Sequence, residues 1–222
     1  MNLALFDLDG TLIPRDSDHA FGEFVIELGW ADAGEFKRRN DGFYEDYLAG
    51  SLDIAAYVDF ATSPWRGRPA AELERATERF LDTVVRPMVH PQALALVQRH
   101  IDAGDEVAVV TATNDFVTRP IAQLFGVDTL IATNLERDGG GRVTGRIAGT
   151  PSFREGKVDR VREWLAQSGR TLDAFPRSIF YSDSTNDLPL LERVSEPVAT
   201  NPGPALERIA LQRGWPVLKL FT

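Results

Sequence analysis

The sequence predicts an α/β fold: a doubly wound parallel sheet, interrupted early in the chain by an all-helical insertion. Three observations carry this reading. A short apolar run, Leu3-Ala4-Leu5-Phe6, meets Asp7 and is closed by Gly10, the pattern of a buried strand opening into a loop. From Pro91 onward, apolar strand-like runs alternate with helix-like segments, which implies parallel strands covered by helices on both faces. Between 14 and 90 nothing reads as a buried parallel strand. The expected division is a core of residues 1–14 and 91–222 and a helical cap of residues 15–90.

The elements follow in order. Residues 17–29 place Phe21, Phe24, Val25 and Leu28 at helical spacing, with Ser17 as N-cap and Gly29 as stop. Residues 32–49 form a more polar helix whose apolar members are Phe36, Phe43, Tyr44, Tyr47 and Leu48. Ser51 or Asp53 caps a third helix through Ala61; Pro64 to Pro69 breaks the pattern, and a fourth helix runs to about Val85. A helix over 91–103 ends at Gly104 and yields to a strand over 106–111. A helix over 115–125 leads past Gly126 to a short strand over 129–131. The alternation in 134–148, interrupted by Asp138-Gly139-Gly140-Gly141, signals a hairpin. Helix 154–168, strand 178–181, helix 186–193, a short strand around Val198, helix 203–212 and a strand over 216–220 complete the chain.

Composition narrows the chemistry. A chain of 222 residues suits one domain of generous size, or one domain carrying an insertion. The absence of cysteine excludes disulfides and thiolate metal sites and leaves hard oxygen ligands as the expected metal chemistry. His19, His90 and His100 lack the spacing of a zinc site. A net charge of −9 argues against nucleic-acid and anionic-membrane partners. The apolar N-terminal run meets Asp7 too early for a signal peptide, and no stretch has transmembrane length. The expectation is a soluble cytoplasmic protein, with monomer and homodimer both left open.

Residues i and i+2 of an extended chain share a face, so Asp7 and Asp9 project together from the end of the first strand. Two adjacent acids repel and are costly to bury without a cation or proton between them. A turn accounts for Asp9-Gly10 but does not require Asp7. Other strand ends add to the set: Thr111-Ala112-Thr113-Asn114 after the second, and Ser182-Asp183-Ser184-Thr185-Asn186-Asp187 after the strand at 178–181. Arg154-Glu155-Gly156-Lys157 opens a helix nearby. Gathered at one sheet edge, these carboxylates, hydroxyl and ammonium suit a hard divalent cation together with a phosphate. Backbone N–H groups after Asp7 supply a further cradle, and Gly10 lets the backbone approach the phosphate closely.

Asp7-Leu8-Asp9-Gly10-Thr11-Leu12, Thr111, Gly156-Lys157 and the 182–187 segment resemble, in order, the four motifs of the haloacid dehalogenase (HAD) superfamily. The helical insertion resembles the cap of its phosphoserine-phosphatase-like branch. The resemblance spans residues 7–187 and implies a Rossmann-like core and a phosphatase acting on a small phosphoester. It implies Asp7 as nucleophile, forming an aspartyl-phosphate, and Asp9 as general acid and base. It implies Mg²⁺ held by Asp7, the carbonyl of Asp9 and Asp183, with Thr111, Ala112 and Lys157 on the phosphoryl group. Asp187 takes a lysine-orienting or metal-water role. The charge of Asp7 is expected to raise the proton affinity of Asp9.

Substrate recognition falls to the acids that follow the catalytic loop. Asp16, Asp18 and His19 stand close enough to overhang the site, and an acid there suits a substrate amine. In phosphoserine phosphatases a cap arginine meets the substrate carboxylate; here Ser51 stands in its place, so a carboxylate-free amino alcohol ester such as histidinol phosphate fits at least as well as phosphoserine. Arg38, Arg39, Arg66 and Arg68 remain as carboxylate partners from elsewhere in the cap. A phosphotransferase or phosphomutase, and a non-catalytic phosphometabolite-binding protein, are the competing readings.

Overall fold

The computed structural model describes residues 1–221. Alternation along the first strand decides what packs where. In β1 (Leu3–Phe6), Leu3 and Leu5 enter one apolar cluster while Ala4 and Phe6 enter the other, and all four are fully buried. β1 therefore lies at the centre of the sheet. It pairs in parallel with β2 (Glu106–Asn114) on one side and β6 (Ser178–Ser182) on the other. With β3 (Thr129–Thr133), β7 (Glu196–Thr200) and β8 (Val217–Leu218), the six parallel strands take the order β3-β2-β1-β6-β7-β8. β4 (Leu135–Arg137) and β5 (Val143–Ile147) form the separate antiparallel hairpin. The strand order reverses beside β1, which opens a crevice beyond its carboxyl end.

Helices α1 (Ser17–Glu27), α2 (Glu35–Ala49), α3 (Ile54–Thr62) and α4 (Ala70–Phe80) lie in sequence between β1 and β2. α5 (Pro91–Asp102) and α6 (Asp115–Leu124) cover one sheet face; α7 (Glu155–Ala166), α8 (Leu188–Leu191) and α9 (Pro204–Arg213) cover the other. The inserted helices share one apolar cluster with α5 and α6. Trp65, 1% exposed, stacks on Phe116 of α6 with ring centroids 4.3 Å apart. Phe21 of α1 meets Phe116 and Phe80 edge-on, at 5.9 and 5.0 Å. Among the described residues no helix is long and apolar enough to cross a membrane.

Several boundaries differ from the sequence reading for identifiable reasons. Asp16, not Ser17, caps α1: its side chain accepts from the His19 N–H at 2.7 Å. Residues 32–34 form a turn before α2, because Asp32 Oδ1 accepts from the N–H groups of Gly34 and Glu35. α4 gives way to a π-helical turn over Leu81–Val85 and a 3₁₀ turn over Arg86–Met88, where Pro87 removes a donor. β2 runs three residues beyond Thr111, with a register shift between Val110 and Asn114. The expected helix over 186–193 is a 3₁₀ turn, Thr185–Asp187, followed by the short α8. The last strand is two residues long, and the N–H of Leu220 turns to Asn201 Oδ1 at 2.6 Å.

The Trp65–Phe116 stack yields a prediction about cohesion. Trp65→Ala lowers stability by about 3–5 kcal/mol. Adding Phe116→Ala costs less than the sum of the single changes, since the two rings share one contact. Urea unfolding of the single and double variants measures both quantities.

Candidate active site

The carboxyl end of β1 is folded into a tight turn around one carbonyl. The N–H of Asp7 still donates to Tyr181 O at 2.9 Å, continuing the sheet by one residue. The next carbonyl, that of Leu8, accepts from the N–H groups of Thr11, Leu12 and Ile13 at 3.2, 2.8 and 3.1 Å. Gly10, at φ +74°, makes the turn possible, and a Cβ there would stand 2.3 Å from Asp183 Oδ2. The close approach that requires glycine in this structure is to Asp183. Asn201, itself at φ 46°, holds the turn from across the sheet by donating to the carbonyls of Gly10 and Thr11, both at 3.1 Å.

Asp7, 3% exposed, accepts from Lys157 Nζ at 2.8 Å through Oδ1. Its Oδ2 lies 3.2 Å from the Thr11 hydroxyl, which is also 3.2 Å from Asp183 Oδ1. Lys157, 1% exposed, sits between Asp7 and Asp187, 2.7 Å from Asp187 Oδ1. Ser182 donates to Asp187 Oδ2 at 2.7 Å. Lys157 thus bridges the carboxylates of Asp7 and Asp187. Burial works against the ammonium, but the charges of Asp187 and Asp7 outweigh it and hold Lys157 protonated above its ordinary range. Burial raises Asp7, and Lys157 opposes the rise. Burial carries Asp187 up to about 6 against the same lysine. Asp183 is pushed well up by burial and by the charges of Asp7 and Asp187.

Asp9 points elsewhere. Its Oδ1 accepts from the Ser17 N–H at 2.7 Å and its Oδ2 from the Thr113 hydroxyl at 2.9 Å. Burial, then the charge of Asp16, pushes its carboxyl up to about 7, while Ser17 and Thr113 pull it down. The rise was expected from the charge of Asp7; burial is its largest cause, followed by the charge of Asp16. Asp9 is thus separated from Asp7 by its hydrogen-bond partners.

The oxygen donors fit a hard divalent cation. Asp7 and Asp183 meet across the Thr11 hydroxyl, and the single ammonium of Lys157 leaves their surroundings with excess negative charge. Among the described residues no three Asp, Glu or His side chains converge on one point. An ion here draws two side-chain carboxylates and completes its shell with backbone and water oxygens, the habit of Mg²⁺.

Above these groups lies a small cavity of about 30 Å³ lined by Asp7, Asp9, Thr111, Ala112 and Thr113 below and by the insertion above. The upper wall consists of Asp16, Asp18, His19, Phe43, Tyr44, Tyr47, Leu52, Ile54 and Tyr57, with no lysine or arginine. His19 is already engaged, its Nε2 lying 2.9 Å from Asp41 Oδ1. The structure does not bring the four arginines to this wall. Arg39 lies over Phe60, Arg66 binds Asp59 and the Thr144 carbonyl, and Arg68 binds Glu72; Arg38 is exposed. Ser51 is exposed too, its hydroxyl donating to Asp46.

The core also grips the insertion from outside the cavity. Asn186 Nδ2 donates to Tyr47 O at 3.0 Å, and Arg154 Nη2 donates to Gly50 O. Both acceptors lie at the C-terminus of α2, whose last turn carries no basic residue of its own. Arg154 does this from a left-handed backbone conformation at φ 54°, immediately before α7. Sequence reading assigned no role to Thr11, Thr113, Asn114, Arg154, Ser182, Asn186 or Asn201. All but Asn201 stand inside the motif segments, which was the available signal.

Residues 4–192 match the family described as haloacid dehalogenase-like hydrolase. The chain is 47% identical over 217 residues to a protein of Neisseria meningitidis named histidinol-phosphatase, covering 98% of each. Its fold matches a crystal structure of a Bordetella pertussis protein of unknown function with a TM-score of 0.93 at 51% identity, covering 99% of this chain and 98% of that one. A substrate-bound phosphoserine phosphatase has the same fold, with a TM-score of 0.66 at 18% identity over 96% of this chain and 97% of the other.

The ion triplet around Lys157 makes a prediction that needs no substrate. In chelator at pH 7.5, Lys157→Met lowers stability by about 3 kcal/mol, because Asp7 and Asp187 lose their only cation. The difference from the wild type narrows at pH 5. The lost pairing matters when the acids are ionised, and Asp187 titrates near 6 even with the lysine present. Urea unfolding at the two pH values reads the difference.

Proposed function

The chain belongs to the haloacid dehalogenase-like hydrolases and is a phosphatase; we propose that it hydrolyses the phosphate ester of a small amino alcohol, histidinol phosphate first among them. The observation that carries this reading is the cavity wall, which holds acids and aromatic rings but no lysine or arginine. A substrate amine or imidazolium finds a carboxylate there, whereas the carboxylate of phosphoserine finds no cation. The name of the Neisseria relative supports the same substrate.

Asp7 attacks phosphorus, forming an aspartyl-phosphate as the ester bond to the alcohol oxygen breaks. Lys157, 2.8 Å from Asp7 Oδ1, favours the ionised form of Asp7 against its burial. Asp9, with its proton affinity raised toward neutrality, gives its proton to the departing alkoxide and then takes one from the attacking water. Thr111, the backbone at Ala112 and Lys157 receive the phosphoryl oxygens. Mg²⁺ would be held by Asp7, the Asp9 carbonyl and Asp183, and when bound supplies positive charge against the phosphoryl oxygens. Residues 15–90 act as the cap domain over a core of 1–14 and 91–222, and exclude water while the aspartyl-phosphate exists.

A panel of phosphomonoesters assayed with Mg²⁺ and with chelator tests the reading. Histidinol phosphate shows a kcat/KM at least about tenfold above phosphoserine, and chelator abolishes both. Equal or reversed preference would overturn the substrate assignment. Asp7→Asn keeps the wild-type fold by circular dichroism but loses turnover by at least about a thousandfold. Asp9→Asn separates the two half-reactions. With p-nitrophenyl phosphate, whose leaving group needs no proton, it releases one equivalent of nitrophenolate rapidly and then stalls as the aspartyl-phosphate. Rapid quench and phosphoprotein mass measure that burst.

A further inference from the structure

One carboxylate on the cavity wall takes no part in the phosphoryl chemistry or in capping a helix. Asp18 is 6% exposed and faces the cavity. Both its oxygens accept from the Asn114 side-chain amide, at 3.0 and 3.1 Å. The direction of that amide is fixed, because Asn114 Oδ1 accepts from the Val117 N–H at 3.1 Å at the start of α6. Tyr57 of α3 sets its hydroxyl against the same carboxylate. Core and insertion therefore present the acid jointly, and each does so through a neutral group. No lysine or arginine is among its partners, and the charges that act with it are the like charges of Asp9 and Asp16. A buried carboxylate held only by neutral donors is unfavourable for the empty protein. A cation arriving with the substrate relieves that cost.

The geometry points to Asp18 as a specificity-determining residue that binds a second basic nitrogen of the substrate, which rests on the reading of the enzyme as an amino alcohol phosphatase. Asp16 and Asp18 give the wall two carboxylates free of protein cations, one for an amine and one for a further basic group. Phe43, Tyr44 and Tyr57 line the same wall and suit a flat cationic ring. The favoured class is then a phosphoester with two basic nitrogens, one of them in an aromatic ring. Simple amino alcohol phosphates satisfy only half of the wall.

Selectivity separates this role from a merely structural one. In the wild type the ratio of kcat/KM for histidinol phosphate to that for phosphoethanolamine is high. Asp18→Asn, which keeps shape and removes charge, lowers that ratio by about thirtyfold or more. A ratio unchanged while both values fall together would make Asp18 a structural link between α1 and α6 and overturn the inference. A wild type that hydrolyses phosphoethanolamine but not histidinol phosphate would overturn the substrate reading and this inference with it. The wild type alone provides a second test that does not depend on the variant folding. Histidinol, which has both nitrogens, inhibits at least about tenfold more strongly than alaninol, which has one; equal inhibition constants would overturn the assignment.

Discussion

A single buried ammonium organises the centre of this protein. Lys157 is enclosed between Asp7 and Asp187, and each carboxylate approaches from a different strand end. Neither acid is tolerable in that position without it, because burial drives both toward the neutral form. The pairing thus does structural and chemical work at once. It joins α7 to the ends of β1 and β6, and its charge opposes the rise in proton affinity that burial imposes on Asp7. Asp9, two residues along, has neutral partners instead and is raised to about 7. One turn of chain, hinged on the Leu8 carbonyl, gives two acids two residues apart different partners, an ammonium for Asp7 and neutral donors for Asp9.

The inserted helices complete the site rather than merely covering it. Their apolar side continues the core through the Trp65–Phe116 stack, and their polar side supplies the acids and rings of the cavity wall. Removal of lysine and arginine from that wall is a matter of where the insertion's own pairs form. Arg66 and Arg68 are consumed by Asp59 and Glu72, and Arg39 by an aromatic face. The cavity keeps its negative character because the neighbouring cations are engaged elsewhere.

The fold was largely legible. The apolar strand Leu3–Phe6, the alternation after Pro91 and the strand-free stretch between them lead to the observed sheet and insertion, because burial on both faces leaves a continuous apolar run. Asp7, Asp9, Lys157, Asp183 and Asp187 were legible as a group through motif order, and they do assemble at one sheet edge. What escaped were features set by tertiary neighbours. Gly10 is glycine because of Asp183, 173 positions further along, and Asn201 braces the same turn from farther still. The proton affinity of Asp9 answers first to its burial and then to Asp16, neither of which the pairing with Asp7 in sequence discloses. Helix ends escaped for a local reason: Asp16, Asp32 and Pro87 redirect single backbone groups, and periodicity does not register that.

The grip of the core on α2 carries a consequence for how such enzymes diversify. Arg154 and Asn186 hold main-chain carbonyls, those of Gly50 and Tyr47, and not side chains. Every residue offers the same carbonyl, so this attachment is indifferent to what α2 is made of, provided the helix ends there. Gly50, at φ +73°, is the one position that the attachment constrains, because a Cβ would meet the Arg154 guanidinium at 2.5 Å. The residues of α2 that face the cavity are thereby free to change with the substrate while the docking of the helix persists. Anchorage and recognition are written in different parts of the chain, and each is able to evolve without disturbing the other.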